Sequence, residues 1–188
     1  MTENNSLTPN DWIQAGFHAL TAGGPQAIKV EAIARQMHVS KGSFYWHFKN
    51  LPELKSAMLA HWLDNATHSV IDLVEDSQQK PQDQLRLLIQ IATGGGNEPY
   101  GGILVEAAIR DWSRHDKLAA STLITVDQLR LKYLRKLFKR CGMSAKICTR
   151  NANNLYAALI GLEHLDHHGI ANLKRDLPGL LEMMLLSQ

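Results

Sequence analysis

The chain has little that would mark it as secreted, membrane-bound or disulfide-stapled. Its 188 residues hold two cysteines, Cys141 and Cys148. Two thiols seven apart with a glycine between them make no disulfide framework, and they read as ordinary thiols near a helix junction, with a redox pair as the alternative. There is no basic start followed by an apolar run, so no signal peptide is expected. No stretch approaches the ~18 to 20 uninterrupted apolar residues of a membrane helix. The cytoplasm is the expected location, with no membrane partner. Charge of one sign is also missing, since the net charge is +2. No internal repeat or low-complexity tract is present, and β-branched residues never form a useful alternating run, which argues against strands.

What is present is helical periodicity in a composition that is 45% hydrophobic and 20% charged, that of a globular protein with ample core material. The pattern predicts an all-α chain of about nine helices. Thr8 is a candidate cap with Pro9 at the first helical position, and Gly23, Gly24 and Pro25 end that first helix. Short helices over Val30 to Met37 and from after Ser40 to about Trp46 follow. A longer helix, 52–76, then connects an N-terminal domain, 8–51, to a larger domain, 52–188. Further helices are expected at about 82–92, 102–112, 116–140, 144–168 and 174–187, with Pro178 pointing to a later start for the last. Between the fifth and sixth, five glycines in the nine residues 94–102 exclude a helix interior. No GK[ST] follows them and no strand precedes them, so they are no phosphate loop. They read as a connector or as a mobile loop beside a cavity.

Residues 30–48 carry the sharpest signal: two short helices separated by His38, Val39 and Ser40. Small Ala34 lets the helices approach, Val39 plugs the gap, and Ser40 is placed to cap the second helix. Phe44 and Phe48, four apart, anchor it to a three-helix core. Its other face presents Lys41, Ser43, Tyr45, His47 and Lys49. Gly42 leaves room for backbone to approach sugar and phosphate. Trp46 reads as a packing residue, His47 has a packed alternative, and Arg35 is a surface residue within reach of phosphate. Such a helix fits a major groove.

The stretch Val39-Ser40-Lys41-Gly42-Ser43-Phe44-Tyr45-Trp46-His47-Phe48-Lys49-Asn50 resembles the recognition helix of the TetR/AcrR family. Ala15, Gly24, Val30, Ile33, Ala34 and Leu54 fall at that family's spacings, and the likeness covers roughly residues 10–60. The resemblance implies a homodimeric transcriptional regulator of nine or ten helices, usually a repressor released from palindromic operator DNA by a small-molecule effector. It implies phosphate contacts by Tyr45 and His47, base or flanking contacts by Lys41 and Ser43, and a phosphate contact by Lys49. Ile28-Lys29 stands where the family often has a Thr or Ser cap, and Leu51 where it often has Lys. Lys29 is then a substitute phosphate contact.

Charge density points elsewhere. From Arg110 to Arg150 there are eleven Lys/Arg against three Asp, while the first fifty residues hold four Lys/Arg and three acids. The middle cluster reads as the outer face of an amphipathic helix, with Leu131, Leu134, Leu137 and Phe138 inward and Lys132, Lys136, Lys139 and Arg140 outward. A second nucleic-acid surface and an anionic-ligand or partner surface are the alternatives. Leu155, Leu159, Leu162, Leu181 and Leu185 are candidates for a dimer interface, with intrachain packing as the alternative. Trp62, Tyr100, Trp112, Tyr133 and Tyr156 are candidates for an effector pocket, and no buried charge is evident to define the effector. Glu163-His164-Leu165-Asp166-His167-His168 tempts as a metal constellation, but it is not HExxH and reads as a polar helix end. No metal, cofactor or catalytic residue is expected. A helical metal-dependent enzyme and a protein-interaction module that has lost DNA binding are the competing functions.

Overall fold

The computed structural model describes residues 7–94, 100–102 and 104–186. Among the described residues all regular structure is helical: α1 (Pro9–Gly23), α2 (Val30–Gln36), α3 (Lys41–Tyr45), α4 (Leu51–Leu63), α5 (Ser69–Asp76), α6 (Pro81–Ala92), α7 (Leu104–Trp112), α8 (Lys117–Arg140), α9 (Ala145–His167) and α10 (Leu173–Leu186). The expected all-α architecture is thus observed. Most of the glycine-rich segment, residues 95–99, lies outside the described residues, as do 1–6, 103 and the last two.

The chain packs as two compact units, Met1–Asp64 with Asn97–Leu123, and Asn65–Gly96 with Ile124–Gln188. The first is larger than the 8–51 segment read from the sequence, because α7 and Tyr100 pack with the N-terminal helices. Lys55 Nζ lies 5.5 Å from the Trp112 ring centre. Tyr100 stacks 4.3 Å from His61 and accepts a hydrogen bond from Asn10 Nδ2. Burial pushes the His61 imidazole below its ordinary pKa.

Local chemistry sets the helix ends. Thr8 caps α1 in a capping box, its hydroxyl accepting from Asp11 N while Asp11 Oδ2 accepts from Thr8 N at 2.7 Å. Asn50 Oδ1 accepts from Glu53 N at 2.9 Å at the start of α4. Gly16 lets α4 come close to α1: a Cβ there would sit 2.6 Å from Met58 Sδ. The core of this unit gathers Trp12, Phe17, Leu20, Ile33, Phe44, Leu54, Met58 and Leu59, all at or below 1% exposure.

Two expectations for helices need correction. The single helix 52–76 is interrupted by a π turn, Asp64–His68. An extra residue in a helical turn displaces a carbonyl from the regular ladder. Here the Ala66 carbonyl accepts from Arg130 Nη2 at 3.1 Å, and Thr67 Oγ1 accepts from Arg130 Nε at 3.3 Å. The last helix begins at Leu173, before Pro178 and not after it. Its start is fixed by Asn172, whose Oδ1 accepts from Arg175 N at 2.9 Å and whose N–H donates to Asp176 Oδ2 at 3.0 Å.

The second unit is built on a core from Val74, Leu85, Ile89, Tyr133, Leu134, Leu137, Phe138, Ala152, Leu155, Tyr156, Leu177 and Leu181. Ion pairs stitch its helices together. Arg86 grips Glu182 through Nε at 2.8 Å and Nη2 at 2.9 Å, joining α6 to α10. Glu75, near the end of α5, receives Arg140 at 2.8 and 3.0 Å, Tyr133 Oη at 2.9 Å and Lys136 at 3.2 Å. The Arg140 guanidinium, then the Tyr133 and Lys136 donors, hold the Glu75 carboxyl down at about 2, against the cost of burial.

Candidate nucleic-acid interface

α2 and α3 meet through a turn whose geometry follows from backbone bonding. The Val39 N–H donates to the Ala34 carbonyl at 2.9 Å and the His38 N–H to the Arg35 carbonyl at 3.2 Å. This is a Schellman ending, which needs a left-handed residue between helix and exit. His38 fills that place at φ +57, where glycine is the commoner choice. Val39 is half-buried and Ala34 is 3% exposed, so the turn closes tightly on α2.

Ser40 occupies the cap position of α3, but its hydroxyl makes no capping hydrogen bond, contrary to expectation. The Ser40 carbonyl accepts from Ser43 N at 3.0 Å, so backbone alone starts the helix. Phe44 holds α3 in place. It is fully buried, edge-on to Trp12 at 5.2 Å and stacked on Phe48 at 5.7 Å.

Around that anchor the other side chains face outward. Tyr45 is 55% exposed, its ring edge-on to Phe44 at 5.2 Å. Trp46 is 88% exposed, which corrects its reading as a packing residue. No apolar residue stands three or four positions away from it, and that missing partner was the available signal. Lys29, Lys41, Gly42 and Lys49 are exposed, and Ser43 and His47 are half-buried. His47 lies near enough to Asp11 to add to the lowering of that carboxyl, which comes first from its hydrogen bonds with Thr8. The structure therefore brings Lys41, Gly42, Ser43, Tyr45, Trp46, His47 and Lys49 together along α3 and its exit, with Lys29 at the start of α2.

Two details bear on chemistry. Lys41 Nζ pairs with Glu31 of α2, an exposed ion pair that raises the lysine pKa and lowers that of the glutamate. Gly42 is open: a Cβ built on it would meet only Ser40 Oγ, at 3.6 Å. Nothing inside the chain therefore demands glycine at this position.

Residues 13–58 match the family described as bacterial regulatory proteins, tetR family. The helix-turn-helix belongs to the tetR family. No curated protein sequence matches the chain. Among solved structures, a TetR transcriptional regulator from Legionella pneumophila superposes with a TM-score of 0.76 at 13% identity, over 98% of each chain. A transcriptional regulator from Rhodococcus sp. Rha1 does so at 0.75 and 18% identity, covering 96% of this chain and 97% of that one. A TetR-family regulator from Agrobacterium tumefaciens gives 0.76 at 16% identity, covering 95% and 96%. At these identities the likeness establishes the fold alone.

Beyond the tetR-family helix-turn-helix, the candidate effector residues fall into both units. Trp62, Tyr100 and Trp112 belong to the first, and Tyr133 and Tyr156 to the second. All are buried except half-buried Tyr100. An open groove of about 240 Å³ between α6 and α10 is lined by Arg86, Thr93, Lys174 and Glu182 among others, and by none of those five. The second unit does contain an inward charge network that the sequence did not reveal. Tyr156 Oη donates to Asp127 Oδ1 at 2.7 Å and accepts from Arg130 Nη1 at 3.2 Å. Arg130 continues to the π turn. With Lys136 and Arg140 spent on Glu75, much of the basic cluster in α8 serves packing within the chain.

The candidate dimer residues also divide. Leu155 and Leu181 are each 1% exposed and lie in the core of one chain, so they are corrected to intrachain packing. Leu159, Leu162 and Leu185 are partly buried against that core. The outward apolar residues of α9, α10 and their connection are Leu165 (38% exposed), Ile170 (72%), Met183 (60%) and Leu186 (85%). No helix among the described residues is long and apolar enough to cross a membrane.

Proposed function

We propose that the chain is a homodimeric DNA-binding transcriptional regulator, acting as a repressor that a small-molecule effector releases from a palindromic operator. The observation that carries the reading is the tetR-family helix-turn-helix with its buried Phe44 anchor and its outward Tyr45, Trp46, Lys41 and Lys49. A buried anchor fixes the direction of α3, and exposed aromatic and cationic groups offer hydrogen bonds and charge to a phosphate backbone. Tyr45, His47, Lys49 and Lys29 contact phosphates, and Lys41 and Ser43 lie toward bases. Gly42 admits sugar and phosphate close to the backbone.

Two recognition helices on one duplex require a two-fold assembly. The exposed Leu165, Ile170, Met183 and Leu186 supply an apolar surface for it, with Leu159, Leu162 and Leu185 behind them. Release by an effector requires that the ligand bind the DNA-free state more tightly. Trp62, Tyr100, Trp112, Tyr133 and Tyr156 are the aromatic candidates to meet it.

Genome-wide mapping of DNA bound by the chain tests the reading. Discrete sites with inverted symmetry, and raised expression of adjacent genes when the chain is deleted, are the expected result. An absence of discrete sites would leave an interaction module in place of a regulator.

A further inference from the structure

We propose that His164 and His168 form a binding site for a late first-row transition-metal ion, of the class Zn²⁺, Ni²⁺ or Cu²⁺. The two residues are four apart, His164 in the last turn of α9 and His168 at its C-terminal cap, and both are exposed. Their ring centres are 4.9 Å apart with the planes at 74°. Metal–nitrogen bonds of about 2.0–2.1 Å place an imidazole centre about 3.2 Å from the metal, so two ligands at tetrahedral or square-planar angles have centres about 4.5–5.2 Å apart. The observed separation lies within that interval, as does the 5.2 Å between His167 and His168, so it is the spacing of four along the helix that singles out His164 with His168.

The backbone there is also fixed. The Ile170 N–H donates to the Leu165 carbonyl and the Gly169 N–H to the Asp166 carbonyl, both at 2.9 Å, with Gly169 at φ +69. This Schellman ending fixes the backbone of His168, the cap residue at φ −94 and ψ 5, relative to His164. Asp166 Oδ1 accepts from Leu173 N at 3.1 Å, tying the start of α10 to the same turn.

His167 has its ring centre 5.2 Å from that of His168, but as its sequence neighbour it lies about 100° away around the helix, and the ring that meets His164 is that of His168. Among the described residues no group of three or more His, Cys, Asp or Glu is arranged to hold a metal. The site therefore supplies two imidazoles and leaves the other coordination positions to water or small ligands. Two neutral nitrogen donors select late transition ions over Mg²⁺ and Ca²⁺, which take oxygen. The proposal is independent of DNA binding.

The test uses the untagged full-length chain and Cu²⁺, with calorimetric titration and electron paramagnetic resonance. One ion per chain with hyperfine coupling to two nitrogens is expected. His164→Gln and His168→Gln should each weaken binding about tenfold or more, while His167→Gln stays within about threefold. All these side chains are exposed, so circular dichroism should show unchanged folding. Equal affinity of the wild type and the His164→Gln/His168→Gln double variant would overturn the proposal. So would a His167→Gln loss as large as that of His164→Gln.

Discussion

Replacing Glu75 by glutamine removes the charge at the centre of the cluster that ties α5 to α8 and keeps its shape. The carboxylate receives two bonds from Arg140, one from Tyr133 and one from Lys136. Holding the carboxyl at about 2 rather than 4.5 corresponds to at most ~3 kcal/mol. Screening at a side chain 30% exposed reduces this to ~2 kcal/mol. A chain of this length then melts ~4–8 °C lower as Glu75→Gln at neutral pH. The sign of the pH effect follows from the lowered carboxyl. The stabilisation is fully present above the ordinary carboxylate pKa of 4.5 and is lost as the pH falls through about 2. Thermal melts followed by circular dichroism at neutral pH and down an acid series therefore should converge for wild type and variant. A variant within about 1 °C of wild type at neutral pH, or a gap that stays constant down to about pH 2, would refute the assignment.

Gly42→Ala should stabilise the free chain by about 0.5–1 kcal/mol, because helix propensity rises and the Cβ meets only Ser40 Oγ; operator affinity measured on the same preparation should fall, and unchanged affinity would remove backbone approach at this position. His38→Gly should raise stability by about 1 kcal/mol by relieving a left-handed non-glycine residue at φ +57, as read by urea unfolding. Glu31→Gln should tighten DNA binding, by up to about fivefold since an exposed pair contributes about 1 kcal/mol or less, because it frees Lys41 and removes a negative charge beside phosphate; weaker binding in a fluorescence anisotropy titration would contradict this.

The sequence was most legible where a local rule acts alone. Thr8 followed by Pro9 announced the start of α1, Phe44 and Phe48 announced the buried side of α3, and the inward leucines of α8 followed from spacing. Legibility failed where the deciding partner lies far along the chain. Arg130 and Asp127 look like surface charges on α8 until Tyr156 and the π turn are brought to them. The π turn itself adds one residue within a helix and barely disturbs its apolar period, so 52–76 read as continuous. His38 was hidden because a left-handed ending is normally signalled by glycine. Trp46 reads as a packing residue, yet Phe44 and Phe48 already fill the side of the helix that faces the core and leave it exposed. Leu155 and Leu181 have the spacing of an interface, but the same spacing serves α9 and α10 packing within one chain.

Hydrogen exchange of the full-length chain, with and without a mapped operator duplex, tests most directly whether α3 is the surface that meets DNA. Slowed exchange across residues 41–50 on adding the duplex, lost together with binding in a Tyr45→Phe and Trp46→Ala double variant, is the predicted result. A duplex that binds fully while exchange in 41–50 stays unchanged would contradict the account.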